Sequence, residues 1–139
     1  MSKTTVYKVN VAFGDCDPAG IVFFPNYLKW MDASSLHFFR ECGVPPWREL
    51  EIHTGIIGDP LVEIHTRFLT PATYGETLQI YTSVQEWGAK VLTQKHVVKR
   101  GEAVICEGTE KRAFCMRVEG EGNRIKAVSI PQDIRAMCS

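Results

Sequence analysis

Two aspartates one residue apart, Asp15 and Asp17, stand in a stretch that is otherwise small and apolar, Phe13-Gly14-Asp15-Cys16-Asp17-Pro18-Ala19-Gly20-Ile21-Val22-Phe23-Phe24-Pro25-Asn26-Tyr27. A carboxylate beside a helix start meets unpaired N–H groups and the positive end of the helix dipole. It can attack an electrophilic carbon or take a proton from water. It can equally cap backbone amides, as loop aspartates often do, and residue types alone weigh that reading evenly against the chemical one. A calcium loop begins well, with Asp15, Asp17 and Gly20 at its first, third and sixth positions. It then fails, because Ala19 and Asn26 fall where ligands are required. An aspartyl-phosphate phosphotransferase, with Asp15 attacking, is a weak competitor: that chemistry needs further Lys and carboxylate sites on a larger parallel α/β fold.

Other residues offer less. Asp32 is a second acid to watch, though it can lie on a solvated stripe with Lys29. Trp47 follows Pro45-Pro46, which stiffens it and suits a pocket wall; Trp30, Trp47 and Trp87 otherwise read as core or interface. Lys90, Lys95, Lys99, Arg100, Lys111, Arg112, Arg117, Arg124 and Lys126 gather late in the chain, and strand alternation makes most of them solvent decoration. Arg124 and Lys126 share one side of an extended segment, where a phosphate-bearing ligand would find them. His37, His53, His65 and His96 lack H-x-x-x-H spacing and read as surface or sheet residues. The five cysteines show no C-x-x-C pair, so neither a zinc site nor a disulfide framework is indicated, and Cys138 reads as exposed. No G-x-S-x-G, G-x-G-x-x-G or P-loop is present.

The elements that would position these groups follow from periodicity. Tyr7, Val9, Val11 and Phe13 alternate as a half-buried strand. Pro25 opens a helix, at a position where its missing N–H costs nothing. Leu28, Met31, Ser35, Phe38, Phe39 and Cys42 hold helical spacing; Gly43 suits the left-handed residue that ends it, and Pro45-Pro46 forbid continuation. Residues 47–58 read as a short helix and a loop. Strands follow at 62–68, 78–85 and 90–99, with a tight turn at Arg100-Gly101-Glu102. Residues 103–118 form one long fourth run before a polar loop, 119–123, and a short tail. A strand, a long helix and then four strands indicate α+β with a five-stranded, mostly antiparallel sheet.

With 139 residues, the chain is one domain, 1–139, and its 45% hydrophobic residues can build a core unaided. Sixteen basic and sixteen acidic residues cancel to a net charge of +0, which argues against nucleic-acid or membrane binding. Residues 1–11 lack a signal peptide's apolar core, and no apolar run approaches the ~20 residues of a membrane span. The expectation is a reduced, cytoplasmic protein. One helix covers only one face of such a sheet, so residual apolar surface and open edges predict a homo-oligomer, at least a dimer.

The motif G-D-C-D-P-A-G-I-V at residues 14–22, followed by F-P-N-Y at 24–27, resembles the hot dog-fold acyl-CoA thioesterases, and most closely their 4-hydroxybenzoyl-CoA branch. Cys42-Gly43-Val44-Pro45-Pro46-Trp47-Arg48, Lys90, Gln94, His96, Ile130-Pro131 and Cys138-Ser139 carry the resemblance essentially end to end. It implies a long central helix wrapped by the sheet, and a homodimer or homotetramer. It implies hydrolysis of an aromatic acyl-CoA, hydroxybenzoyl-CoA in first place, without metal or redox cofactor, in aromatic degradation. By the same resemblance Asp17 is nucleophile or general base, and the Phe24 N–H receives the oxyanion. Asp32, Trp47 and Asp59 lie near the ring, and Lys90, Arg124 and Lys126 near the CoA phosphates. Three positions depart from the branch: Phe24 stands where Tyr is frequent, Gly88-Ala89 where basic residues are, and Asp59 where a small hydroxyl residue is expected. A short-chain thioesterase of the same fold and a non-catalytic acyl-CoA or acyl-carrier binding module are the alternatives.

Overall fold

The computed structural model describes residues 3–120 and 122–139. Strand β1 (Thr4–Asn10) leads through a short 3-10 turn to helix α1 (Pro25–Glu41). Helix α2 (Trp47–Thr54) and strand β2 (Ile56–Gly58) follow, then β3 (Leu61–Phe68), β4 (Thr77–Trp87), β5 (Val91–Arg100) and β6 (Ala103–Ala113). Two short strands, β7 (Cys115–Arg117) and β8 (Ile125–Ala127), and helix α3 (Gln132–Met137) complete the chain. The main sheet has five strands in the order β1-β4-β5-β6-β3, every pair antiparallel. This is the α+β hot dog arrangement expected from the sequence.

Helix α1 begins and ends where the sequence places it. Proline occupies its first turn, and Gly43, at φ 94°, takes the left-handed conformation after it. Tyr27, Met31, Ser34, Ser35, Phe38 and Phe39 form its buried face. Apolar residues on that face pack into two clusters. Val9, Met31, Leu78, Ile80, Val98 and Ile105 belong to one, near the start of α1. Phe38, Phe39, Leu92, Phe114 and Ile134 belong to the other, near its end. Between the two runs a belt of buried polar side chains: Ser34 and Ser35 on α1, Thr82 on β4, Gln94 and His96 on β5, Glu110 and Arg112 on β6.

Four expectations are corrected. Residues 56–58 form a strand rather than a loop, and pair with β7 in a second, three-stranded sheet of order β2-β7-β8. The run 103–118 is broken at Phe114, whose buried ring anchors the second cluster while its N–H and C=O bond Lys90 and Val128. The tail contains α3, and Cys138 is 1% exposed because that helix packs Ile134 and Cys138 into the core. Burial pushes the Cys138 thiol pKa up, which makes it less reactive. Arg112, grouped with solvent decoration by strand alternation, is instead buried, because its position on β6 faces α1. In the polar loop 119–123, Glu121 lies outside the described residues.

Candidate active site

The loop between β1 and α1 is built on backbone bonds. An antiparallel bridge joins Cys16 to Val22, and the Asp17 N–H donates to the Ile21 carbonyl at 2.9 Å. The turn closes when the Gly20 N–H reaches the Asp17 carbonyl at 2.9 Å; Gly20 sits at φ 80°, which favours glycine. Both aspartates cap amides, but with different consequences. Asp15 Oδ2 accepts the Ala12 N–H at 2.8 Å. Its carbonyl accepts the Phe23 N–H at 2.9 Å and the Asn26 side-chain amide at 2.8 Å. Asp15 therefore pins the loop to the first turn of α1. Asp17 accepts the Ala19 N–H at 2.9 Å through Oδ1. No hydrogen bond among the described residues uses its Oδ2, and the side chain is only partly buried.

The start of α1 supplies the complementary group. Pro25 has no N–H, Asn26 donates to the Phe23 carbonyl at 2.9 Å, and Tyr27 to the Phe24 carbonyl at 3.1 Å. The Phe24 N–H has no acceptor among the described residues. Phe24 is already helical, at φ −54° and ψ −34°, so this unused donor lies at the positive end of the helix. Beside it lies an apolar cleft of about 290 Å³, lined by Ile21, Val22, Phe24, Tyr27, Phe68 and Leu69 among others. The Phe24 ring meets Phe23 and Phe68 at centroid distances of 5.6 and 6.0 Å. An open carboxylate oxygen, a free backbone donor and an apolar cleft are what hydrolysis of an acyl compound requires.

Asp32 lies on α1 with its side chain 69% exposed, yet it is no simple solvated acid: Arg112 Nη2 holds its Oδ1 at 2.8 Å. Arg112 also donates to Glu110 Oε1, from Nη2 at 2.9 Å and Nε at 3.3 Å, and to the Asp59 carbonyl at 3.3 Å. Asp59 is 9% exposed, with Oδ1 at 4.0 Å from Arg112 Nη1 and Oδ2 buried with no partner among the described residues. Burial raises its pKa to about 7 against the opposing pull of Arg112. Burial alone would also raise Glu110; the hydrogen bond and charge of His96, with those of Arg112, outweigh it and hold the carboxyl below its ordinary range. Glu110 is thus ionised, and His96 Nε2 donates to it at 2.6 Å. Arg112, Glu110 and His96 were missed as a unit. Their signal was present as polar residues at inward positions of strands, alternating with Leu92 and Val98.

The remaining candidates separate. Trp47 starts α2 and is partly buried, with its ring edge-on to Phe39 at 5.7 Å and Phe114 at 5.8 Å, so it anchors α2 on the second cluster. Lys90 is brought beside the end of β8: its carbonyl accepts the Phe114 N–H, and Ala89 accepts the Ile130 N–H. Lys126 lies on β8 and Arg124 just before it, and all three side chains are exposed. Gly88 has a reason of its own, since a Cβ there would fall 2.6 Å from the Val91 carbonyl. Among the described residues, no cluster of His, Cys, Asp or Glu is placed to hold a metal ion, and no helix is long and apolar enough to cross a membrane.

Comparison with known proteins agrees with this geometry. Over 144 aligned residues the chain is 39% identical to a 4-hydroxybenzoyl-CoA thioesterase of Pseudomonas sp. strain CBS-3, covering 100% of both. A crystal structure of a 4-hydroxybenzoyl-CoA thioesterase D17N mutant complexed with 4-hydroxybenzoyl-CoA matches with a TM-score of 0.91 and 37% identity, over 98% of this chain and 99% of that one. A gentisyl-coenzyme A thioesterase structure matches with a TM-score of 0.79 and 36% identity, over 96% of this chain and 98% of that one. The family model of the thioesterase-like superfamily matches residues 11–137, and the chain belongs to that superfamily.

Proposed function

We propose that this chain is an acyl-CoA thioesterase that hydrolyses an aromatic acyl-CoA to the free acid and CoA, with a hydroxybenzoyl thioester as its substrate. One observation carries the reading. The loop that holds Asp17 is hydrogen-bonded onto a helix start whose Phe24 N–H is unused, and Asp17 keeps one carboxylate oxygen open. The relatives named for 4-hydroxybenzoyl-CoA support the choice of acyl group.

A thioester carbonyl is already electrophilic, so a positioned carboxylate suffices without a triad. In one route Asp17 Oδ bonds to the acyl carbon and the C–S bond breaks, releasing CoA thiolate, which takes a proton. Water then opens the mixed anhydride, yielding the acid and regenerating Asp17. In the other, Asp17 takes a proton from a water that attacks the same carbon. Either way negative charge grows on the carbonyl oxygen, and the Phe24 N–H receives it; one such donor is typically worth ~10²–10³ in rate. Being a backbone donor, it does not depend on the side chain at position 24. Rapid quench with mass spectrometry separates the routes, because only the first leaves an acyl adduct on Asp17.

Asp32 accepts the ring hydroxyl in this reading. It lies eight positions beyond Phe24, roughly 12 Å of helix rise, which is on the order of a para-hydroxybenzoyl group with a hydrogen bond at each end. Trp47 and Asp59 border the ring end, and Lys90, Arg124 and Lys126 face the CoA phosphates. No metal or redox cofactor takes part. The site works in a cytoplasmic homo-oligomer, a dimer at least and a tetramer by resemblance. The edge strand β3, with Val62 and Phe68 exposed, offers a second copy a row of backbone groups to pair with. Sedimentation at micromolar concentration tests the assembly. The activity is tested by thiol release from hydroxybenzoyl-, benzoyl- and butyryl-CoA. Hydroxybenzoyl-CoA should give the highest kcat/KM, and a preference for butyryl-CoA would defeat the aromatic assignment.

A further inference from the structure

We propose that Arg112 is a positioning residue that fixes the Asp32 carboxylate for a hydroxyl on the acyl group, aimed from beneath by the buried Glu110–His96 pair. The inference rests on the reading of Asp32 as the ring-hydroxyl acceptor. An exposed aspartate on a helix ordinarily samples several rotamers. Here Oδ1 is held by Arg112 at 2.8 Å, which leaves Oδ2 to meet an incoming donor. Arg112 cannot swing away, because its side chain is only 5% exposed and two of its nitrogens already donate to Glu110.

The chain of contacts continues to a fixed end. Glu110 Oε1 receives His96 Nε2, and His96 Nδ1 lies 2.7 Å from Thr82 Oγ1. Thr82 Oγ1 in turn lies 2.7 Å from Ser34 Oγ. Ser34 stands on α1 one residue beyond the neighbour of Asp32, so the network leaves α1, crosses β6, β5 and β4, and returns to α1. The carboxylates facing Arg112 are Asp32, Asp59 and Glu110, with His96 behind them. Stability alone does not call for such a set. Buried ion pairs are often no better than apolar packing, and Glu110 Oε2 and Asp59 Oδ2 are buried with no partner among the described residues. The one member that reaches solvent is the Asp32 carboxylate. Nη2 bonds Asp32 and Glu110 while Nε and Nη1 bond Glu110 and the Asp59 carbonyl, and a flexible lysine with a single nitrogen cannot reproduce that three-nitrogen clamp.

The experiment compares kcat/KM for 4-hydroxybenzoyl-CoA with that for benzoyl-CoA. In Asp32→Asn the ratio should fall by ~10-fold or more, as expected for losing a hydroxyl-reading group. Arg112→Lys should lower the ratio by a similar ~10-fold while benzoyl-CoA turnover stays within about threefold, and the double variant should be no worse than Asp32→Asn alone. A folded Arg112→Lys protein with an unchanged ratio, or with both substrates impaired alike, overturns the proposal. An unchanged ratio in Asp32→Asn removes instead the reading of Asp32, and this inference with it. Should Arg112→Lys not fold, wild-type protein labelled with ¹⁵N in its arginine side chains decides the matter. The Arg112 Nη resonances should shift with 4-hydroxybenzoate and not with benzoate; equal responses refute the assignment.

Discussion

The loop around Asp17 and the buried belt around Arg112 hold charge in opposite ways. In the loop, most bonds join residues 12–26 to one another over short sequence distances, with Val22 and Gly20 reaching out to Ala72 and Thr73, and Asp17 Oδ2 has no hydrogen bond among the described residues. In the belt, four elements contribute side chains from Asp32 to Arg112, and each charge is spent on another before one carboxylate reaches the surface. The first arrangement keeps a group reactive at little cost to the fold. The second makes a group rigid, and the fold depends on it.

That contrast predicts which substitutions separate activity from stability. Asp17→Asn should lower kcat by ~10³ or more in the thiol-release assay, as for loss of a nucleophile or base, while the unfolding midpoint barely moves. The substituted amide can still accept the Ala19 N–H through its oxygen. Equal turnover by variant and wild type would end the assignment of Asp17. Glu110→Ala should do the reverse in kind. It strips the Arg112 guanidinium and His96 of their shared acceptor, and breaking a buried pair in this way costs about 3 kcal/mol or more. Thermal unfolding should fall by roughly 10 °C. A shift of only a degree or two would mean that the belt is not structural.

The same contrast explains what could be read from the chain. The acid loop, the helix start at Pro25 and the turn at Gly101 are contiguous signals whose local chemistry needs no knowledge of distant partners. Period-two patterns also place β4 and β5 closely. The belt is invisible to that approach: Gln94 and His96 occupy inward positions, but nothing local says that Thr82, Glu110 and Ser34 will lie opposite them. Arg112 looked like solvent decoration for the same reason. Residues 56–58 and 125–127 are too short to show alternation, and they become strands only by pairing with the two edges of 115–117.

Asp59 stands at the edge of the belt, its Oδ1 4.0 Å from Arg112 Nη1. Burial raises its carboxyl to about 7 in the folded protein, from the ordinary 3.8. Between about pH 4 and pH 7 the folded state therefore holds a proton that the unfolded state has lost. This contribution to stability is fully present below the unfolded value and is lost as pH rises through the folded one. Asp59→Asn removes the titration. Relative to wild type, the variant should gain on the order of 2 kcal/mol between pH 5 and pH 8, measured by urea unfolding at both. A difference that does not change with pH would show that Arg112 keeps Asp59 ionised throughout.

The smallest effect should come from Asn26, where the loop and helix meet. Its side-chain amide donates to the Asp15 carbonyl, and among the described residues this is the one side-chain bond that ties the first turn of α1 to the acid loop. The Phe23 N–H bond to the same carbonyl remains when Asn26 is truncated, so the loop should keep its place on average but lose its exact aim. One partly buried hydrogen bond contributes about 1 kcal/mol, which bounds the change in unfolding free energy for Asn26→Ala. A misplaced carboxylate is more costly to a transition state than to a bound ligand. The variant should therefore show kcat reduced by roughly 10-fold with KM nearly unchanged, because a weaker hold on aim is felt only when charge develops at the Phe24 N–H. If KM rises while kcat holds, Asn26 shapes the cleft rather than the chemistry, and the geometry of catalysis is set by the backbone alone.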